Sequence, residues 1–187
     1  LLYAFFAIGV AAYIRGYSGF GFSALTVTSL VLILPPSEVA PTAYMLEVAA
    51  SIHMLPLVWR SIDWKILRWL VFGTVMGTPF GIIFLEVVPQ EIMRLVISGI
   101  VLTASLLLWK NIQFRSSANW YSILAVGFFS GMINGAAAIG GLPVVLFLLS
   151  ISAPSTLSRA TMVAYLFICG LYALFLPGSQ HLISTEL

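Results

Sequence analysis

Charge is what this chain has least of. Of its 187 residues, 7% are charged and 61% hydrophobic, where a soluble domain carries about 25% charged residues. Such a surface cannot clothe a globule of this size in water. A soluble four-helix bundle is therefore excluded, and an all-α, multi-pass integral membrane protein is expected. The net charge of +2 is too small to suggest nucleic acid, and no basic patch is interleaved with aromatics. Cysteine is nearly missing too. The single Cys169 rules out a disulfide within the chain and a thiolate metal cluster, and reads as a small packing residue. Catalytic signatures are lacking: there is no His/Glu zinc pair on one face, no nucleophile beside a His base and no phosphate-binding loop. No enzyme activity, catalytic residue, metal or cofactor is expected. An initiator Met is also absent, and the chain stops at Thr185-Glu186-Leu187 just after an apolar run. Both ends therefore read as cut, with any targeting segment out of view.

What is present is long apolar runs. A spanning helix needs about 20 apolar residues. Residues 39–59, 65–85, 92–110 and 156–176 meet that length, each bounded by charge or proline. Residues 1–34 and 119–153 are too long for one ordinary span, and glycine-rich interruptions divide them. Arg15-Gly16-Tyr17-Ser18-Gly19-Phe20-Gly21 breaks the first, and Asn134-Gly135-Ala136-Ala137-Ala138-Ile139-Gly140-Gly141 breaks the second, 119 positions later. At that offset Arg15 meets Asn134, Gly16 meets Gly135, Gly21 meets Gly140, Pro35 meets Pro154 and Thr42 meets Thr161. The chain thus reads as two homologous repeats, 1–110 and a truncated 119–187, joined by a loop at 111–118. Each half of a broken segment has about 13 residues, or about 20 Å of helix, short of the roughly 30 Å hydrocarbon core. Two arrangements fit: a tilted broken span, or a re-entrant hairpin of two half-helices.

Basic residues orient the chain. Arg60, Lys65 and Arg68 surround one loop, and Lys110 and Arg115 flank another. The positive-inside rule puts both in the cytoplasm. Trp59, Trp64 and Trp69 bracket the first of these loops and Trp109 and Trp120 the second, as an interfacial belt does. If 119–153 is a hairpin, Arg159 returns to the cytoplasm and the repeats are inverted. If both broken segments cross fully, the repeats are parallel. Arg159 favours inversion.

Paired glycine interruptions in corresponding parts of two hydrophobic halves point to a transporter's substrate site. Arg15 sits just before the first break, where a charge costs at least about 2.5 kcal/mol. Its guanidinium fork suits sulfonate, sulfite or carboxylate oxygens. Half-helices starting at Phe22 and Leu142 would aim N–H groups at the same point. Gly16, Gly19, Gly21, Gly135, Gly140 and Gly141 allow close approach of backbone to a ligand, though glycine also serves helix packing. Ser18, Asn134 and Thr161 complete the expected substrate site. Thr42 matches Thr161, but back-bonding to the helix is the commoner role of membrane threonines. Glu47 and His53, on different faces of 39–59, are candidates for proton coupling; an interfacial imidazole near Trp59 is the plainer reading of His53.

These residues resemble the sulfite exporter TauE/SafE family of membrane transporters. The likeness lies in Arg15-Gly16-Tyr17-Ser18-Gly19-Phe20-Gly21-Phe22 with Pro35-Pro36, in Leu55-Pro56, Trp59-Arg60 and Asp63-Trp64, in Phe129-Ser130-Gly131-Met132-Ile133-Asn134-Gly135, in Ile139-Gly140-Gly141-Leu142-Pro143-Val144-Val145-Leu146, and in Arg159-Ala160-Thr161. The resemblance implies a bacterial inner-membrane protein of about eight hydrophobic segments in two homologous halves, exporting sulfite or organosulfonates. Counterparts of 65–85 and 92–110 are missing from the second half. Ser23, Ala24 and Ala136–Ala138 stand where many members are richer in glycine, which leaves the substrate open. The expected function is secondary transport of a small anion, with the bilayer and the anion as partners and a homo-oligomer as a further option. A non-transporting scaffold and an anion channel are the alternatives.

Overall fold

The computed structural model describes residues 2–110, 119–151 and 154–176, and among these every regular element is helical. Eight α-helices follow one another: α1 Leu2–Ser18, α2 Phe22–Leu30, α3 Pro36–Val58, α4 Trp64–Val87, α5 Gln90–Trp109, α6 Trp120–Ala137, α7 Gly141–Ser150 and α8 Ser155–Phe175. The expected loop at 111–118, with Arg115, lies outside the described residues, as does the Pro177-Gly178 stop. α4, α5 and α8 are long and apolar enough to cross a membrane. α3 has the length, at 23 residues, but carries Glu38, Glu47, His53 and internal Pro41 and Pro56.

Helix ends follow local chemistry. Asp63 caps α4, its carboxylate accepting from Lys65 N at 2.9 Å and Ile66 N at 3.1 Å, which satisfies two of the orphan donors of a first turn. Proline precedes or opens α3, α5 and α8, where a missing N–H costs nothing. The breaks fall later than the sequence suggested. Helix α1 continues through Arg15–Ser18, and α6 through Asn134–Ala137; the elbows themselves are Gly19–Gly21 and Ala138–Gly140. The two arms are accordingly unequal, 17 and 9 residues at the first elbow, 18 and 10 at the second.

The tightest seam joins α4 to α6. Gly73, Gly77 and Gly81 recur every fourth residue on α4; Gly127, Gly131 and Gly135 do so on α6. A Cβ on Gly77 would strike the Phe128 carbonyl, and one on Gly131 the Thr74 carbonyl. Small residues let two backbones touch, the usual source of helix association in lipid, where apolar burial gives no driving force. Since Gly73 meets Gly127 and Gly81 meets Ala136, the two helices run parallel. Helix α8 runs the same way: Thr161 Oγ1 accepts from Asp63 N, and further on Tyr172 donates to the Val75 carbonyl. Against α3 it runs antiparallel, with Gly170 beside Tyr44 and Val48.

The buried apolar residues form two clusters. The first holds Leu30, Val39, Met93, Ile97 and Ala137–Ile139; the second holds Ile66, Leu70, Ile123, Leu148, Met162 and Tyr165. Helix α1 starts against the first cluster through Ala4 and Ile8, Phe20 of its elbow reaches the second, and α2 returns to the first through Val27 and Leu30. Helix α6 starts in the second through Ile123, its elbow lies in the first, and α7 carries Val145 and Leu148 back to the second. At one end of the helices, Trp69 and Trp120 approach to 5.3 Å between ring centroids and Trp59 and Trp64 to 4.9 Å.

Candidate functional site

Arg15 lies in the last turn of α1 and is 1% exposed. A cation there complements the negative end of the helix, but a buried charge needs a partner. It has one: Nη1 pairs with Glu47 Oε1 on α3, and Nη2 donates to Ser51 Oγ at 2.6 Å. Ser23 of α2 sits beside the same carboxylate. The pairing is incomplete. Arg15 Nε and Glu47 Oε2 are both buried with no hydrogen-bond partner. Arg15 and Glu47, separate in the sequence as candidate anion ligand and proton carrier, form one ion pair in the structure. Ser51 was missed, although it stands one helical turn beyond Glu47 and so on its face.

The first elbow is built from backbone. Gly19 and Gly21 adopt φ of 81° and 88°, a region any side chain would strain. Ser18 does not reach toward the ion pair: its hydroxyl donates to the Ile14 carbonyl at 2.8 Å and the Phe20 carbonyl at 2.7 Å, pinning the turn. Helix α2 then starts at Phe22 with no side-chain cap. Arg159 of α8 crosses over Gly19, and its Nη2 donates to the Gly16 carbonyl at 2.8 Å. Beside it, Ser18, Phe20, Val145, Leu148, Ser155 and Arg159 help line a cavity of about 220 Å³.

The second elbow is different. Its left-handed residue is Ala138, φ 56°, while Gly140 is right-handed. Asn134 is buried; its carbonyl accepts from Tyr44 of α3, and its Nδ2 has no partner. Ser130 bonds the Gly140 carbonyl and meets the Tyr165 hydroxyl at 2.6 Å, which also contacts Thr74 Oγ1 at 2.8 Å. Gly135 packs on the Thr78 carbonyl, and Gly141 faces Leu166 and Met162. Buried Cys169 lies in the same cluster as Tyr165.

The expected partners therefore do not meet directly. The elbows occupy different core clusters, and no described hydrogen bond links Arg15 to Asn134. Helix α3 joins their surroundings, with Tyr44 one turn before Glu47 on the same side. Thr161 serves Asp63, Thr42 bonds back to the Glu38 carbonyl at 3.0 Å, and His53 is exposed on another face of α3. Tyr44 and Tyr165 carried no sequence signal beyond their spacing from Glu47 and Thr161; Arg159 was legible only as an orientation marker and Ser130 only as part of a glycine motif. Two further cavities, one of about 440 Å³ between α5 and α7 and one of about 150 Å³ between α4, α5 and α6, are apolar, and neither is lined by Arg15 or Asn134.

No curated protein and no solved structure matches this chain. The profile described as Sulfite exporter TauE/SafE matches residues 4–186, nearly its whole length. A buried, half-satisfied ion pair beside a glycine elbow, among apolar helices, suits a membrane transporter, and the chain belongs to the Sulfite exporter TauE/SafE family.

Proposed function

We propose that this protein is a secondary transporter of a small sulfur-containing anion, sulfite or an organosulfonate, in the cell inner membrane. The observation that carries the reading is Arg15: a guanidinium wholly inside a lipid-embedded bundle, with an unfilled N–H. Ionisable groups at such depth are costly, and they mark substrate or ion paths. Arg15 supplies the charge, and the uncapped start of α2 offers N–H groups and the positive end of its dipole. Asn134 Nδ2 is a second unfilled donor along α3, so the anion's path runs from the first elbow toward the second. Gly16 and Gly21, with open space beside them, serve this path as backbone, whereas Gly135, Gly140 and Gly141 serve packing and Gly19 lies under Arg159.

The repeats are best read as inverted hairpins. Support comes from the return of α2 to the cluster where α1 begins, and of α7 to the cluster where α6 begins, with the two hairpins opening toward opposite clusters. Arg60, Lys65, Arg68, Lys110 and Arg159 then gather on the cytoplasmic side. Such a pair of repeats around a midplane site suits alternating access.

The test is flux of sulfite and methanesulfonate in proteoliposomes. Arg15→Ala and Asn134→Ala are each expected to lower flux at least about tenfold, the loss of one charge-assisted or buried polar contact, with normal insertion. Unchanged flux in both variants would sink the proposal. A second reading, a non-transporting assembly subunit, is favoured by the dry glycine seam between α4 and α6; absence of flux for both anions in the wild type would support it.

A further inference from the structure

We infer that Glu47 is a built-in stand-in for the transported anion, and that substrate and proton enter together, one anion displacing the carboxylate from Arg15 while one proton neutralises it. This inference rests on the anion-site reading above and adds its coupling.

Charge balance at the buried pair sets the stoichiometry. As it stands the pair is neutral: one guanidinium, one carboxylate, both buried. Adding an anion would leave a net negative charge among apolar helices, which a low-dielectric interior strongly disfavours. Removing Glu47 from the site is not open to the protein, since α3 holds it. Neutralising it is. A proton on Glu47 turns Arg15⁺·Glu47⁻ plus A⁻ plus H⁺ into Arg15⁺·A⁻ plus Glu47–COOH, with total charge unchanged. No bond but the new O–H is made.

The geometry provides for both states. The carboxylate uses one oxygen on Arg15 and leaves the other unpartnered; the guanidinium likewise keeps Nε–H unfilled. A fork with a spare donor donates to two oxygens of a sulfonate or sulfite side by side. The protonated carboxyl has an acceptor in Ser23, already beside it on α2. Ser51 holds the far end of the guanidinium in either state.

Other charged or titratable groups facing the pair do not supply the proton. From α8 comes Arg159, which is cationic and held by the Gly16 carbonyl. Tyr165 and Cys169 on α8 are turned toward Thr74 and Ser130. On α3 Tyr44 is committed to the Asn134 carbonyl, and His53 is exposed away from the site. Helix α2 contributes only hydroxyls, Ser23 and Thr26. That leaves Glu47.

The experiment uses the whole chain in proteoliposomes containing a pH dye, with methanesulfonate as substrate, because a sulfonate stays singly charged and carries no proton of its own. Wild type is expected to move one proton per methanesulfonate, and a pH gradient alone is expected to accumulate it at least tenfold. Glu47→Gln, a neutral mimic of the protonated state, is expected to lose proton movement and to lower gradient-driven accumulation at least tenfold, while whatever methanesulfonate flux remains no longer responds to the pH gradient. Glu47→Asp, which restores an ionisable carboxyl, is expected to recover part of both. Methanesulfonate movement without protons in the wild type would overturn the coupling and leave the anion site standing. Full gradient-driven accumulation in Glu47→Gln would do the same. Unimpaired flux in Arg15→Ala, or none in the wild type, would overturn the anion site itself.

Discussion

The two elbows match at Gly21 and Gly140, and just before them at Gly16 and Gly135, yet they are held differently. The first, at Gly19–Gly21, is fixed by polar contacts: Arg15 to Glu47 and Ser51, Arg159 to the Gly16 carbonyl, Ser18 to its own turn. The second, at Ala138–Gly140, has its own polar contacts, Ser130 to the Gly140 carbonyl and Tyr44 to the Asn134 carbonyl, but none is an ion pair, and the helix leading into it is also pressed along its length against α4. Gly16 and Gly135 make the contrast plain. They match at the 119-residue offset, but a Cβ on Gly16 meets nothing within 4 Å, whereas one on Gly135 would strike the Thr78 carbonyl. Polar contacts can be exchanged for ligand or water contacts. A backbone-to-backbone seam has nothing to exchange, so the two elbows differ in what they can do.

The largest expected effect comes from unpairing the first elbow. Arg15→Ala leaves Glu47 buried without its cation, which should cost about 3–5 kcal/mol, read as a lower unfolding temperature in detergent. Adding Glu47→Ala to it should restore much of that loss. If the double variant is no more stable than the single, the ion pair does not hold the elbow. Next comes the seam. Gly135→Val should cost on the order of 3 kcal/mol by forcing two backbones apart, with loss of monodisperse protein on gel filtration. A well-behaved Gly135→Val protein would break the contrast at its root.

Smaller effects sharpen it. Gly19→Ala requires a left-handed alanine and a shifted Arg159 side chain, and should cost about 1–2 kcal/mol. Asn134→Ala should cost no more than about 1 kcal/mol, because Tyr44 bonds the Asn134 backbone rather than its amide; its effect belongs in the flux. Gly16→Ala should change stability by no more than about 0.5 kcal/mol. Thermal unfolding of the Gly16→Ala and Gly135→Ala pair, measured side by side, tests the comparison with one methyl group at each matched site.

These contrasts mark how far the sequence could be read. Helix spans were legible because proline and charge bracket them, and the elbows because glycine clusters interrupt apolar runs. The half-helix starts expected at Phe22 and Leu142 fall at the start of α2 and within one residue of that of α7, but the leading edges of the breaks were early by about a turn: Arg15 and Asn134 look like loop residues beside so much glycine, yet nothing stops a helix continuing through them until Gly19 or Ala138 turns left-handed. The pairing of Arg15 with Glu47 was illegible, since 32 positions separate them and no local pattern fixes which face of α1 meets α3. The seam was written openly in Gly73-x-x-x-Gly77-x-x-x-Gly81 and Gly127-x-x-x-Gly131-x-x-x-Gly135. It was overlooked because glycine in an unbroken helix looks like background beside the clustered breaks. Ala138 shows the opposite hazard, as a left-handed residue where the letter gives no warning.

The shared direction of α4, α6 and α8 has an electrical consequence. Three helices running the same way bring their amino ends, at Trp64, Trp120 and Ser155, to the same end of the bundle. Each end carries roughly half a positive elementary charge, and Arg60, Lys65, Arg68 and Arg159 add whole ones nearby. That end of the bundle is thus an attractor for negative solutes, enriching them before any contact is made. The enrichment should fade as ionic strength shortens the Debye length from about 30 Å at 0.01 M to about 8 Å at 0.15 M.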